Sequence, residues 1–182
     1  VYAWLYENEI TLLEETVIQH PVLEKVSPGC VATVRITTVV TPEEDVLFFS
    51  PLLRMGEGEV GHIISGQFYA PINEEGVIFA PAFKQDGDYD QRGGDFIYHH
   101  PSTGEELVGF SVPHFKKAEE MCRQMALEIK SYPFIGWDIG ITEEGPVLLE
   151  GNKFPANDII QVYKYHPQQR GLYYEIKNAL GL

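Results

Sequence analysis

The residues most suited to chemistry lie in the segment 136–152, which reads Gly-Trp-Asp-Ile-Gly-Ile-Thr-Glu-Glu-Gly-Pro-Val-Leu-Leu-Glu-Gly-Asn. Two strand-like runs flank residues 143–145, a loop whose glycine suits a left-handed conformation, so the segment predicts a β-hairpin. A hairpin centred on residue 144 places Asp138 opposite Glu150. Because strand side chains alternate between faces, Asn152 then shares their face. The other face, which carries Ile139, Ile141, Val147 and Leu149, is expected to pack on the core.

Two carboxylates opposite each other on paired strands repel, and a divalent cation between them removes that penalty. Carboxylate and amide oxygens are the hard ligands that Mg²⁺ prefers, so Asp138, Glu150 and Asn152 form a candidate magnesium site. The alternative from spacing alone is that both acids are solvated residues on the outer face of a hairpin. The residues by themselves leave both interpretations open.

Most of the remaining chain indicates strands, over residues 31–40, 46–53, 63–72 and 77–83, where β-branched and aromatic residues concentrate. The run Asn73-Glu-Glu-Gly76 predicts a turn between the last two. Residues 85–104 are rich in Gly, Asp, Gln and His and predict a long loop. One amphipathic helix is expected over 115–131, after Pro113, and a second over about 169–180. The sequence therefore predicts one α+β domain over residues 1–182, with a largely antiparallel sheet and packed helices.

The net charge of the 182-residue chain is −14, which argues against a nucleic-acid binder and against docking on an anionic membrane surface. Nothing approaches 18 consecutive apolar residues, so no transmembrane insertion is expected. The two cysteines, Cys30 and Cys122, fit a reducing cytoplasm better than a disulfide framework. Because the chain begins at Val1 and its first methionine is Met55, we expect it to be part of a longer protein.

The hairpin resembles the metal-binding hairpin of the ATP-grasp superfamily, and more closely that of the sugar-transfer associated ATP-grasp family. The shared features are a Trp-Asp pair, a Gly-Pro-Val turn and a Glu-x-Asn motif. Further blocks resemble family segments in order, so that the resemblance covers residues 12–157. These blocks are Gln19-His20-Pro21, Thr33-Val34-Arg35, Leu53-Arg54-Met55-Gly56, His100-Pro101-x-Thr103-Gly104 and Gly109-Phe110.

The resemblance implies an ATP- and Mg²⁺-dependent ligase. It would activate a carboxylate as an acyl phosphate and transfer the acyl group to an amine or sugar-linked acceptor in polysaccharide or glycoconjugate synthesis. It also implies that the chain is the C-terminal lobe of the fold. The partners would then be ATP, an unidentified small or sugar-linked substrate, and the N-terminal, lysine-bearing lobe of the same enzyme. Without that lobe, these residues alone are expected to be inactive.

The same resemblance assigns roles to individual residues. Asp138, Glu150 and Asn152 would hold the metal that bridges the ATP phosphates. Arg35 resembles a catalytic arginine that faces the phosphates or the acyl phosphate; its alternative is a surface salt bridge. Cofactor-binding roles fall on four further residues, Glu14, Glu15, His100 and Lys153.

Each cofactor-binding assignment has a plainer alternative. The run Leu12-Leu13-Glu14-Glu15 resembles the strand that hinges the two lobes and offers backbone groups and a glutamate to adenosine; the alternative is an edge strand followed by a loop. His100 either contacts substrate or phosphate or hydrogen-bonds a turn, and Lys153 either approaches phosphate or is solvated.

Two other functions stay open. The family shows an Asp-Asn pair and a Gly-Gly pair where residues 61–67 read Gly-His-Ile-Ile-Ser-Gly-Gln. This departure favours a non-catalytic nucleotide- or sugar-binding domain with a degenerate site. A metal-assisted hydrolase that uses Asp138, Glu150 and His100 is the third possibility.

Overall fold

The computed structural model describes residues 2–9, 15–56, 68–85, 94–129, 131–155, 159–168 and 170–182. The described strands are β1 (Thr33–Val40), β2 (Val46–Met55), β3 (Phe68–Pro71), β4 (Ala82–Gln85), β5 (Gly94–Ile97), β6 (Phe134–Ile141) and β7 (Pro146–Asn152). The α-helices are α1 (Tyr2–Glu7), α2 (Phe115–Glu128) and α3 (Tyr173–Ala179), and short 3-10 helices cover Pro21–Lys25, Ile159–Gln161 and Tyr163–Tyr165.

The seven strands form one sheet in the order β5-β4-β3-β2-β1-β6-β7, and every neighbouring pair is antiparallel. The predicted α+β class with a largely antiparallel sheet is therefore confirmed, whereas the assignment to a C-terminal lobe stays a prediction. Strand β1 lies near the middle of the sheet because it pairs with β2 on one side and with the hairpin strand β6 on the other.

Helix α2 covers one face of the sheet, which we call the helix face. The apolar residues of α2 recur at helical spacing, and four of them are buried: Phe115, Ala118, Cys122 and Ala126. They pack on side chains that alternate toward them from β1, β2, β3 and β6. The helix ends at Glu128, three residues before the predicted end at 131.

The opposite face, which we call the ionic face, is partly covered by the C-terminal part of the chain. Ile160 and Tyr165 are buried there against Leu52 of β2 and Tyr69 of β3. Tyr165 also donates its hydroxyl to the carbonyl of Pro81, at 2.9 Å. Burial raises the pKa of this tyrosine well above its ordinary value, so the hydroxyl stays a donor.

Two predictions about the strands were wrong. Residues 77–83 were expected to form one strand, but Val77 and Ile78 form only isolated bridges and β4 begins at Ala82. Pro81 interrupts the run because it has no backbone N–H to donate. Within the predicted loop 85–104, residues 94–97 form strand β5, which pairs with β4.

The turn predicted between the third and fourth strand runs is present. The side chain of Asn73 accepts hydrogen bonds from the backbone N–H groups of Glu75 and Val77. Gly76 has a φ of 85°, and a Cβ at this position would lie 2.8 Å from a side-chain carbon of Phe115. Glycine is therefore required there both by the turn and by the approach of α2. No helix in the described ranges is long and apolar enough to cross a membrane.

Candidate functional site

A row of charged and polar side chains crosses four adjacent strands on the ionic face. In order, β2 contributes Arg54, β1 contributes Arg35, β6 contributes Asp138, and β7 contributes Glu150 and Asn152. Arg35 and Asp138 lie directly opposite each other in the β1–β6 pairing. Because paired residues on neighbouring strands point to the same side, the sheet itself brings these side chains together.

Arg35 and Asp138 form a bidentate ion pair at the centre of this ionic row. The Nε atom of Arg35 donates to Oδ1 at 2.6 Å, and its Nη2 atom donates to Oδ2 at 2.7 Å. Their side chains are 7% and 8% exposed, so the pair is shielded from water. The planar guanidinium matches the two carboxylate oxygens, which fixes the orientation of both groups.

Two further groups approach Asp138. The Nη1 atom of Arg54 lies 3.6 Å from Oδ1, and the Asn152 amide donates to Oδ2 at 3.3 Å. The carboxylate therefore accepts from two strands and faces a second guanidinium. A buried carboxylate is costly unless it is paired and hydrogen-bonded, and these contacts meet both conditions.

The predicted pairing within the hairpin is confirmed, because Asp138 lies opposite Glu150 in the β6–β7 register. The expected reason for a metal changes, however. Like-charge repulsion between the two acids was expected to need a cation, whereas Arg35 and Arg54 already supply positive charge beside Asp138. Glu150 is exposed and takes no part in the hydrogen bonds around Asp138.

The apolar side of the hairpin agrees with the expectation in part. Ile139 and Ile141 are fully buried, as predicted, but Leu149 is 37% exposed. A β-bulge shifts the register after Asp138, so that Ile139 pairs with Leu148 rather than with Leu149. The extra residue in β7 breaks the strict alternation on which the prediction rested.

The chain after β7 folds back over the ionic row. A Cβ added to Gly136 would lie 2.6 Å from Cβ of Pro155 and 3.6 Å from Nη1 of Arg35. A glycine at this position thus lets Pro155 pack against the sheet beside the third nitrogen of the guanidinium. Neither Gly136 nor Pro155 was predicted to belong to the site, because their closeness depends on tertiary packing.

One buried hydroxyl on the same side of β1 lacks a partner. Thr37 lies opposite Gly136, two residues from Arg35, and is fully buried. Its Oγ1 atom makes no hydrogen bond within the described part of the chain. Buried polar atoms are usually satisfied, so a hydroxyl with no partner among the described residues is unusual beside an ion pair.

The donor set fits a hard divalent cation. Asp138, Glu150 and the amide oxygen of Asn152 are the oxygen ligands that Mg²⁺ accepts, and they lie at one end of the row. Among the described residues, no three His, Cys, Asp or Glu side chains are placed together to hold a metal ion. The asparagine would therefore be the third protein ligand of a magnesium site, which water and phosphate oxygens would complete.

His100 does not join this row. Its Nδ1 atom accepts from the backbone N–H groups of Ser102 and Thr103, at 3.2 and 3.1 Å, and its Nε2 atom lies 3.3 Å from the carbonyl of Gly56. The ring is buried against Phe68, a residue of the core under α2. His100 therefore hydrogen-bonds a turn on the helix face, which is the plainer of the two alternatives given above. It does not lie beside Asp138 and Glu150, as the hydrolase hypothesis requires. A cofactor contact for His100 stays a prediction.

Two other predicted cofactor-binding residues, Glu15 and Lys153, are exposed. Glu14, with the leucines before it, lies outside the described residues. Lys153 places its ammonium 5.6 Å from the ring centroids of both Tyr132 and Phe154. Arg54, in the resembling block Leu53-Arg54-Met55-Gly56, was left without an assigned role from sequence, although its place near the end of a strand rich in apolar residues was an available signal.

One comparison with known proteins gave a match. The family model described as sugar-transfer associated ATP-grasp matches residues 1–178, nearly the whole chain. Neither the curated proteins nor the solved structures gave a match. ATP-grasp proteins generally use ATP and Mg²⁺, and membership points to an ATP-dependent, ligase-type function related to sugar transfer. The chain belongs to the sugar-transfer associated ATP-grasp family.

Proposed function

We propose that the ionic row is the metal- and phosphate-binding face of an ATP-grasp ligase. The enzyme would activate a carboxylate as an acyl phosphate and pass the acyl group to an amine or sugar-linked acceptor in polysaccharide or glycoconjugate synthesis. The observation that carries the proposal is the buried Arg35–Asp138 pair, in register with Glu150 and Asn152 on the outer strand. Buried ionic groups in the middle of a sheet are costly, and such groups concentrate at functional sites.

Arg35 is the positioning residue of the row in this proposal. Its Nε and Nη2 atoms hold Asp138 in one orientation, and its Nη1 atom lies outside that pair, beside Gly136. A fixed carboxylate loses little conformational freedom when it takes a further ligand. The remaining nitrogen can donate to a phosphate or acyl-phosphate oxygen, which is the role expected for Arg35 from sequence.

Arg54 would supply the more accessible positive charge. Its side chain is 21% exposed, against 7% for Arg35, and its Nη1 atom lies 3.6 Å from Oδ1 of Asp138. Guanidinium groups bind phosphate oxygens through paired hydrogen bonds. Together, the two arginines offset the charges of Asp138 and Glu150, so the row presents no net negative charge to a polyanionic nucleotide.

Asp138, Glu150 and Asn152 would hold Mg²⁺, which neutralises phosphate charge and orients the reacting oxygens when it is bound. The exposed carboxylate of Glu150 can turn toward a ligand without breaking any of the hydrogen bonds around Asp138. Phosphoryl transfer is achieved largely by positioning and charge neutralisation, and both are what this set of side chains can provide.

The test is Mg²⁺-dependent binding of a non-hydrolysable ATP analogue to the full-length protein, measured by titration calorimetry with and without EDTA. Replacing Glu150 by Gln should weaken Mg²⁺-dependent binding by about 10- to 100-fold, because a charged metal ligand is lost. The double variant Asp138→Asn, Glu150→Gln should abolish it. Unchanged binding in that double variant would remove the hairpin from the mechanism.

Glu143→Gln is the matched control, since Glu143 is an exposed acid in the turn of the same hairpin. It removes one negative charge while leaving the row intact, so its binding should equal that of the wild type. Equal weakening in both single variants would indicate a general charge effect rather than a lost ligand.

The second candidate, a non-catalytic binding domain, is favoured by one feature of the same site. Arg35 already occupies both oxygens of Asp138, as an internal substitute for a metal would. In that case the analogue would bind equally well with EDTA, and Glu150→Gln would have no effect. The EDTA comparison therefore separates the ligase from the binding module.

A further inference from the structure

Two exposed aromatic rings flank a lysine next to the ionic row. Tyr132 is 42% exposed and Phe154 is 83% exposed, and the ammonium of Lys153 lies 5.6 Å from each ring centroid. These distances are within the range of cation–π attraction. We call Tyr132, Lys153 and Phe154 the aromatic platform.

The aromatic platform is joined to the ionic row through the backbone at two points. Lys153 directly follows Asn152, whose amide donates to Asp138 at 3.3 Å. Phe154 directly precedes Pro155, which is buried against Gly136 beside Arg35. Because Asn152 and Pro155 are both held against the ionic row, the residues between them, Lys153 and Phe154, lie next to its charged groups.

The composition of the platform selects a class of ligand. An exposed aromatic ring presents a flat apolar face, and the C–H face of a pyranose packs well on such a surface. The lysine adds a positive charge and three hydrogen-bond donors at the same place. A neutral sugar would use the rings alone, whereas a sugar that carries an anionic group would use the rings and the ammonium together.

We propose that the aromatic platform binds a pyranose that carries a carboxylate or a phosphate group. This inference rests on the proposed function, because it identifies the place where a sugar-linked acceptor would sit beside the phosphate-binding row. Stacking positions the ring, and the ammonium of Lys153 pairs with the anionic substituent.

The test uses saturation-transfer NMR on the whole chain, without nucleotide or magnesium, with glucuronate, glucose 1-phosphate, glucose and adenosine as probes. Both anionic sugars should give a stronger response than glucose, and their relative strength decides between carboxylate and phosphate. Phe154→Ala and Tyr132→Ala should each weaken the anionic-sugar response by about three- to tenfold. Lys153→Gln should reduce that response to the level seen with glucose.

Two control variants remove exposed tyrosines elsewhere. Tyr174, on α3, is 59% exposed, and the guanidinium carbon of Arg170 lies 5.5 Å from its ring centroid. Like the platform, this position combines an exposed aromatic ring with a cation. Tyr98 is 59% exposed and follows β5, at the opposite edge of the sheet from β7. Neither Tyr174→Ala nor Tyr98→Ala should change the response.

The proposal is overturned if Phe154→Ala keeps the wild-type response, if the control variants lose it equally, or if adenosine alone responds. The outcome is separable from that of the ATP experiment, because no metal or nucleotide is present. Conversely, Phe154→Ala should retain Mg²⁺-dependent binding of the ATP analogue in the full-length protein.

Discussion

The two faces of the central sheet bury different kinds of side chain. On the helix face, α2 buries apolar side chains against alternate residues of β1, β2, β3 and β6. On the ionic face, the same strands bury the Arg35–Asp138 pair and the hydroxyl of Thr37, which has no hydrogen-bond partner among the described residues. Apolar burial stabilises a fold without directional contacts, whereas a buried ion pair barely offsets its own desolvation. The contrast fits the proposal that the helix face stabilises the fold and that the ionic row binds a ligand.

The largest expected effect comes from breaking the pair at the centre of the ionic face. Asp138→Asn keeps the shape of the side chain but leaves the guanidinium of Arg35 buried without its counter-charge. We expect a loss of about 3–5 kcal/mol in the free energy of unfolding, measured by urea denaturation.

Glu150→Gln is the control, because this acid lies opposite Asp138 but is exposed. Its effect on stability should stay within about 0.5 kcal/mol. The double variant Arg35→Met, Asp138→Leu should recover most of the lost stability, because it leaves no unpaired charge. The contrast between the two faces is contradicted if Asp138→Asn lowers the free energy of unfolding no more than Glu150→Gln does.

Replacing either of two adjacent threonines in β1 should change the free energy of unfolding by a smaller amount, with opposite sign on the two faces. Thr38 points to the helix face, where its Oγ1 atom accepts from Nε1 of Trp137 at 2.9 Å, and both residues are buried. Thr38→Val leaves that donor unsatisfied and should cost about 1–3 kcal/mol. Thr37→Val, on the ionic face, removes a hydroxyl that makes no hydrogen bond to the part of the chain that the structure describes. It should be neutral or stabilising by up to about 1 kcal/mol.

The two valine variants control each other, since they make the same substitution at neighbouring buried positions of one strand. Both can be measured in one series of urea titrations with a common slope. A substantial loss of stability in Thr37→Val would mean that the hydroxyl is hydrogen-bonded, and the ionic face would then be as well satisfied as the helix face.

Local sequence patterns were enough to predict the parts of the molecule that depend on neighbours in the chain. The opposition of Asp138 and Glu150 follows from one hairpin loop, and the start of α2 follows from Pro113 and helical spacing. The turn at Gly76 was likewise visible from its residue types. In each case, turn chemistry or a periodicity within about 20 residues determines the structure.

The partner of Asp138 could not be predicted in that way. Arg35 lies 103 residues earlier in the chain, and the contact depends on the β1–β6 register. Because that register could not be read from the sequence, a bound cation was the simplest way to neutralise two facing carboxylates. The bulge in β7 was hidden for a related reason, because alternation assumes a regular strand and an edge strand is free to depart from it.

The smallest expected effect concerns how the C-terminal cover of the ionic face is anchored. Glu175 lies in the first turn of α3, beside Ile176, which packs on the buried cluster of Leu52 and Tyr69. The pKa of Glu175 is held below its ordinary value, chiefly by its own backbone N–H and next by the Arg170 guanidinium at 2.9 Å. A lowered pKa contributes stability that is fully present above the unfolded value of about 4.5 and is lost as the pH falls through the folded value. The melting temperature should therefore fall on acidification below that pH, and it should fall less steeply in Glu175→Gln than in wild type. Glu74 is an exposed acid in the turn of residues 73–76, and Glu74→Gln is the control. Its melting temperature should fall with pH as steeply as that of the wild type. Identical slopes in all three proteins would show that the cover is held by the apolar contacts of Ile160, Tyr165 and Ile176 alone.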